Sequence, residues 1–201
     1  MKILLHTCCA PCSSAIIEAL LKEGHKPTIF YCNPNIYPQE EYLIRKNECS
    51  RYAQACGLDM FDDDYDHQAW LQCAEGLQDE PERGRRCLNC FKYRLLRAAS
   101  YALENGFDTL TTTLASSRWK SLAQINEAGS WAVEQARKEY AERTGTEAPE
   151  LMWWERNWRK GGLQERRNQL IKEMNFYNQL YCGCEFSMAR LNNSPDTSKN
   201  P

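Results

Sequence analysis

Five short runs of apolar and β-branched residues, separated by helix-length segments, constrain this chain more than any other feature. Residues 3–7 (ILLHT), 27–32 (PTIFYC), 58–61 (LDMF), 109–114 (TLTTTL) and 151–154 (LMWW) read as strands. Residues 13–22 read as a helix stopped by Gly24, 39–56 as one stopped by Gly57, and 88–105 as one closed by Asn105-Gly106. Residues 121–143 and 163–175 read as two more helices. The prolines and asparagines of 33–38 (NPNIYP) predict a loop, and the acidic stretch 57–82 a loop with a short helix near 67–74. Strands alternating with helices predict a single α/β domain with a mainly parallel sheet flanked by helices. The 201 residues, 42% hydrophobic, suffice for one core, which we place in 1–190, with 191–201 as a disordered tail. No internal repeat is visible.

The first strand runs straight into three cysteines, Cys8, Cys9 and Cys12, within the stretch HTCCAPCSS. In open α/β sheets ligands bind at the carboxyl ends of the strands, and phosphate-binding folds carry glycines there. No apolar run approaches the roughly 18 residues of a membrane helix, and the first strand is too short for a secretory signal. A cytoplasmic protein with no membrane partner is expected, and in a reducing compartment clustered thiols read as metal-binding or catalytic. The chain has 11 cysteines. Cys32, Cys49, Cys56 and Cys73 are isolated and read as small buried hydrophobes. The others form CCAPC, CLNC (Cys87, Cys90) and CGC (Cys182, Cys184).

Spacing alone leaves three chemistries open. A structural zinc takes four ligands, often from two C-x-x-C pairs, but adjacent Cys8-Cys9 makes an awkward pair. An iron–sulfur cluster also takes four thiolates and suits a tight cysteine group on one loop with a C-x-x-C on another. Thiol redox chemistry is the third, and CGC favours it, because a disulfide across one residue is strained and easily reduced. CGC also reads as a ligand pair, or as a single ligand with a bystander.

Charge is uneven although the net value is −2. Asp59, Asp62, Asp63, Asp64, Asp66, Glu75, Asp79, Glu80 and Glu82 fall in 57–82 with no base between them. Residues 83–97 then carry Arg83, Arg85, Arg86, Lys92, Arg94 and Arg97 with no acid, and 153–172 is again basic. Two basic segments in an acidic chain point to a docked polyanion, or else to solvated helix faces. Trp153, Trp154 and Trp158 interleave with Arg156, Arg159 and Lys160, a composition suited to unstacked RNA bases and equally to a core edge. His6 reads as core packing or as support behind the thiols, and Tyr37, Tyr42 and Arg45 as pocket lining or packing. Thr111, Thr112, Thr113 and Ser116 face the same crevice, as substrate contacts or as partners of backbone groups.

LLHTCCAPC, YCNPNIYPQEEYLIRK, CLNCFKYRL, TTTLASSRWKSLAQINEAG, NWRKGG and YNQLYCGCEFSM follow one another in an order that closely resembles the QueH-type epoxyqueuosine reductases. The resemblance runs from residue 3 to about 188 and leaves out the tail. It implies an HUP-like (adenine nucleotide α-hydrolase-like) sheet with a cysteine loop in place of the phosphate loop. It implies reduction of epoxyqueuosine to queuosine in tRNA, the last step of queuosine synthesis, without cobalamin. It also implies a [4Fe-4S] cluster with an additional mononuclear iron, and an electron donor that the sequence does not identify. Carried over, Cys8, Cys9, Cys87 and Cys90 match the cluster ligands, Cys182 and Cys184 a redox-active disulfide, and Cys12 a ligand of the second iron. The resemblance tips the tryptophan-rich basic segment toward tRNA. Two other classes stay open: an ATP-dependent tRNA-thiolating enzyme of the same fold, which needs a phosphate loop that TCCAPC is not, and a zinc-stabilised RNA-binding module.

Overall fold

The computed structural model describes residues 1–193. Its five strands are β1 (Ile3–Thr7), β2 (Thr28–Tyr31), β3 (Met60–Asp62), β4 (Thr109–Thr112) and β5 (Met152–Trp153). They form one sheet in the order β3-β2-β1-β4-β5, and every pairing is parallel. Every residue of β1 and β4 is buried, as expected of a parallel sheet covered on both faces.

The helices are α1 (Ala10–Lys22), α2 (Gln39–Ala55), α3 (His67–Cys73), α4 (Arg85–Glu104), α5 (Leu122–Thr144), α6 (Leu163–Glu173) and α7 (Glu185–Asn193). α1 packs with α2 and α6, and α4 packs with α5, giving two helical groups about the sheet. Leu5, Ile17, Leu95, Leu110 and Leu114 are wholly shielded at the centre of the core. None of the described helices is long and apolar enough to cross a membrane.

The strand order places the site. Connections from β1 lead to β2 on one side, while β4 lies against the other edge of β1, so the crevice opens where the winding reverses. The segments that leave the carboxyl ends of β1 and β4 flank that crevice. They are the Cys8–Cys12 turn and a 3₁₀ turn over Thr113–Ser116 that leads into a loop before α5.

The predicted α/β domain is present, with differences at several boundaries. α1 starts at Ala10, not 13, because Pro11 sits comfortably in a first turn, where its missing N–H costs nothing. α4 starts at Arg85, not 88, capped by Gly84. Strand β4 stops at Thr112, where the Thr112 side chain accepts from the Leu114 amide and opens the 3₁₀ turn. α7 was not expected, and it carries the chain past the expected domain end at 190 to Asn193. Residues 194–201 of the expected tail lie outside the described residues.

Candidate metal and thiol centre

The turn between β1 and α1 is only two residues long, so Cys8 and Cys9 occupy it and Cys12 follows in the first helical turn. The sulfurs of Cys8, Cys9 and Cys12 lie within 4.8 Å of one another, with Cys8 and Cys9 Sγ 3.9 Å apart. Among the described residues this is the one group of three metal-ligating side chains that close. The set is all sulfur and sits at a helix amino terminus, which favours thiolates and thiophilic metals. Hydrogen bonds with Cys12 and Cys9 hold the Cys8 pKa well below the usual thiol value, and Lys120 and the Thr113 hydroxyl add to this. The same sharing pushes Cys9 up, and pushes Cys12 up to about 11. Thr113 Oγ1 lies 3.4 Å from Cys8 Sγ and accepts from the Cys8 amide at 3.2 Å. Gln179 Nε2 donates to Cys9 Sγ at 3.2 Å.

Because α4 begins at Arg85, Cys87 and Cys90 both lie in its opening turns, three apart and therefore on one face. The Arg83 amide donates to Cys87 Sγ at 3.3 Å. Burial pushes the Cys87 thiol up to about 11 and raises that of Cys90 as well. Cys90 forms a small buried cluster with Trp70 and Ala74, against which Cys184 and Phe186 pack. The CGC segment therefore rests on the CLNC helix. Cys182 is exposed, Cys184 is half-buried, and both are free thiols. Burial, then the neighbouring Cys182, pushes Cys184 up to about 12.

Arg45 holds that segment in place. Its guanidinium donates to the carbonyls of Cys182 at 3.1 Å and Tyr181 at 3.3 Å, and Glu41 pairs with it at 2.6 Å. The Tyr37 amide donates to the Gly183 carbonyl at 2.8 Å, and Gly183 has φ 135°, which a side chain would not tolerate. Burial opposes charge on Lys120 and Arg94, but nearby thiols outweigh it and raise both: Cys182, Cys8 and Cys12 for Lys120, and Cys90, Cys8, Cys32 and Cys182 for Arg94. All three cysteine groups therefore act on Arg94, and CCAPC and CGC also act on Lys120. The expected ligand residues are not equivalent in space: Cys12 joins Cys8 and Cys9 in the tight group, while Cys87 and Cys90 lie outside it.

The remaining sequence candidates divide clearly. His6 is fully buried, with Nδ1 2.7 Å from Thr112 Oγ1 and Nε2 3.1 Å from the Cys32 carbonyl. A carbonyl only accepts, so Nε2 carries the proton. Burial, then Arg94, lowers its pKa to about 3, and the ring is a neutral brace between β1, β2 and β4. Thr111 bonds the Trp154 carbonyl and Ser116 the Thr113 carbonyl, so only Thr113 of the four reaches a thiol. Tyr42 is core, with its hydroxyl on Asp62 at 2.6 Å, while Tyr37 is exposed and stacks on His67. Cys32 and Cys49 are core residues, and Cys56 and Cys73 are half-buried.

The basic segments need correction. Trp158 is buried, Trp153 and Trp154 pack against the core, and Arg156 lies between the rings of Trp154 and Trp158 while pairing with Glu23. These tryptophans are a core edge. In 83–97, Arg94 is buried on Asn33 and the Cys32 carbonyl, and Arg86 on the carbonyls of Leu77, Gln78 and Glu80. Arg85, Lys92 and Arg97 pair with Glu80, Glu127 and Asp63. Of the three bases in that segment without an ion pair among the described residues, Arg83, Arg86 and Arg94, only Arg83 is exposed. Lys120 and Gln179 were missed as site residues because each reaches the thiols only through the fold, and Arg83 because it does so through its backbone amide.

The family model described as "Epoxyqueuosine reductase QueH" matches residues 3–190. Relatives bearing that same description occur in several bacteria. The one from Histophilus somni is 46% identical over 95% of this chain and 74% of its own length. The one from Acinetobacter baylyi is 44% identical over 95% of this chain and 82% of its own. A more distant one, from Thermotoga maritima, is 30% identical over 92% of this chain and 90% of its own. With its thiol crevice at the head of β1 and this match along almost its full length, the chain belongs to the QueH epoxyqueuosine reductase family.

Proposed function

We propose that this chain reduces epoxyqueuosine to queuosine in tRNA, the last step of queuosine biosynthesis, and that its thiol crevice would hold an iron–sulfur centre. The observation that carries the reading is the set of three thiols within 4.8 Å at the mouth of β1, which shares Arg94 with CLNC and CGC and Lys120 with CGC. Cys8, Cys9, Cys87 and Cys90 would hold a [4Fe-4S] cluster, and Cys12 would serve an additional iron. When bound, such a centre supplies single-electron transfer and an open coordination site able to polarise an oxygen.

The chemistry balances on that set. Opening the epoxide to an alkene breaks two C–O bonds, forms one C=C bond, and needs two electrons and two protons, with the oxygen leaving as water. Oxidation of the Cys182 and Cys184 thiols to one disulfide releases two electrons and two protons, and an external donor then restores the dithiol. Arg45 keeps the CGC backbone against the crevice, and Lys120 and Arg94 offset the negative charge of clustered thiolates. Cys8, at the helix terminus, is the thiol already biased toward its anion.

Iron and sulfide analysis of anaerobically prepared protein tests the assignment. About four irons or more and a charge-transfer absorption are expected, with most of both lost in Cys8→Ala and in Cys87→Ala. Full occupancy in both variants would overturn the ligand set.

A further inference from the structure

The loop after β4 holds a tryptophan in solvent on a backbone fixed from several directions. Trp119 is 58% exposed, the most of any aromatic side chain among the described residues. Its carbonyl accepts from Arg83 Nε at 2.8 Å, and the Arg118 carbonyl from Arg83 Nη2 at 3.2 Å. The Lys120 carbonyl accepts from Arg159 Nη2 at 2.8 Å, and the Trp119 amide donates to Ser117 Oγ at 3.3 Å. The Arg118 guanidinium lies over the indole ring at 4.9 Å. A slack loop would fold such a ring onto the protein, whereas this one is braced outward.

The loop also belongs to the rim of the thiol crevice. Arg83, which holds the two carbonyls, donates its amide to Cys87 Sγ at 3.3 Å. Its φ of 67° is a costly conformation for a residue with a side chain, and Gln124 Nε2 secures it through the Arg83 carbonyl at 2.8 Å. None of Arg83, Arg118, Lys120 and Arg159 takes part in an ion pair among the described residues. Arg159 Nε is buried without a hydrogen-bond partner. Cations left unpaired around an aromatic plate match a nucleic-acid strand, whose phosphates take the charges while a base takes the ring.

We propose that Trp119 is the stacking platform for an unpaired base next to the nucleotide that enters the crevice, with Arg83, Arg118 and Arg159 receiving the adjoining phosphates. This rests on the tRNA reading above. A base presented to buried thiols must leave its stack, and an aromatic plate at the rim replaces the stacking its neighbour loses.

Fluorescence anisotropy with end-labelled tRNA carrying epoxyqueuosine, over a salt series, tests it. Trp119→Ala weakens binding about 5- to 150-fold with the salt slope unchanged, because a stacked ring releases no counterions. Trp119→Phe retains most of the affinity, and Arg118→Ala lowers the salt slope by about one. Salt-dependent binding by the unaltered protein that Trp119→Ala leaves equally tight overturns the inference while the tRNA reading stands. No binding by the unaltered protein overturns the reading and the inference with it. A dimer seen by sedimentation that Trp119→Ala dissolves, with RNA affinity unchanged, assigns the ring to a second copy and also overturns the inference.

Discussion

Cys8 is the residue on which the account turns, because it alone combines a helix amino terminus, two thiol neighbours and a hydroxyl partner. The thiol groups were readable from spacing in one dimension. Their grouping was not: Cys12 joins Cys8 and Cys9 because α1 starts early enough to bring it under the turn. Lys120 and Gln179 carry no local signal, since they approach the thiols from far along the chain only after folding, and Arg83, four residues before Cys87, reaches that sulfur through its backbone amide, which no residue type announces. Arg94 misled in the opposite direction, because a basic residue in a basic run reads as surface until its partners, Asn33 and the Cys32 carbonyl, are seen. At this scale the sharpest prediction concerns Cys182. On the proposed ligand set CCAPC and CLNC supply four cluster ligands and CGC is spare, so Cys182→Ser should keep its iron and absorption yet stop after a single conversion per protein when epoxyqueuosine-containing tRNA is in excess. Loss of iron would make CGC a ligand pair, and undiminished turnover would reduce it to packing.

Among the elements, strands were legible because fully buried parallel strands leave uninterrupted β-branched and apolar runs. β5 was legible too, but its tryptophans were not, since packing partners are invisible in sequence. Trp153 lies over Gly129 of α5 so closely that a Cβ at Gly129 would overlap the indole ring. That glycine is what lets helix and edge strand meet. Gly129→Ala should therefore destabilise the fold by about 1–3 kcal/mol through overpacking, read as a lower urea midpoint at unchanged slope. An unaltered midpoint would show that the ring shifts freely and that the contact does not seat β5. α7 escaped the sequence reading because its nine residues, EFSMARLNN, make a short helix that runs into a polar stretch.

Across the whole molecule, the charges sort themselves by partner. Acids of the 57–82 stretch neutralise bases elsewhere, Asp62 with Lys46, Asp63 with Arg97 and Glu80 with Arg85, which leaves unpaired cations at the crevice rim in a chain of net charge −2. The sheet order puts the cysteine turn of β1 beside the loop of β4, so the thiols and the rim cations meet at one switch point. The account joins them into one activity, and one measurement addresses it directly. tRNA carrying epoxyqueuosine is incubated without air with iron-loaded protein and a chemical reductant, then digested to nucleosides and resolved by mass spectrometry. The account predicts that queuosine replaces epoxyqueuosine with the unaltered protein and does not with Cys8→Ala. Epoxyqueuosine left intact by fully iron-loaded, unaltered protein would contradict it.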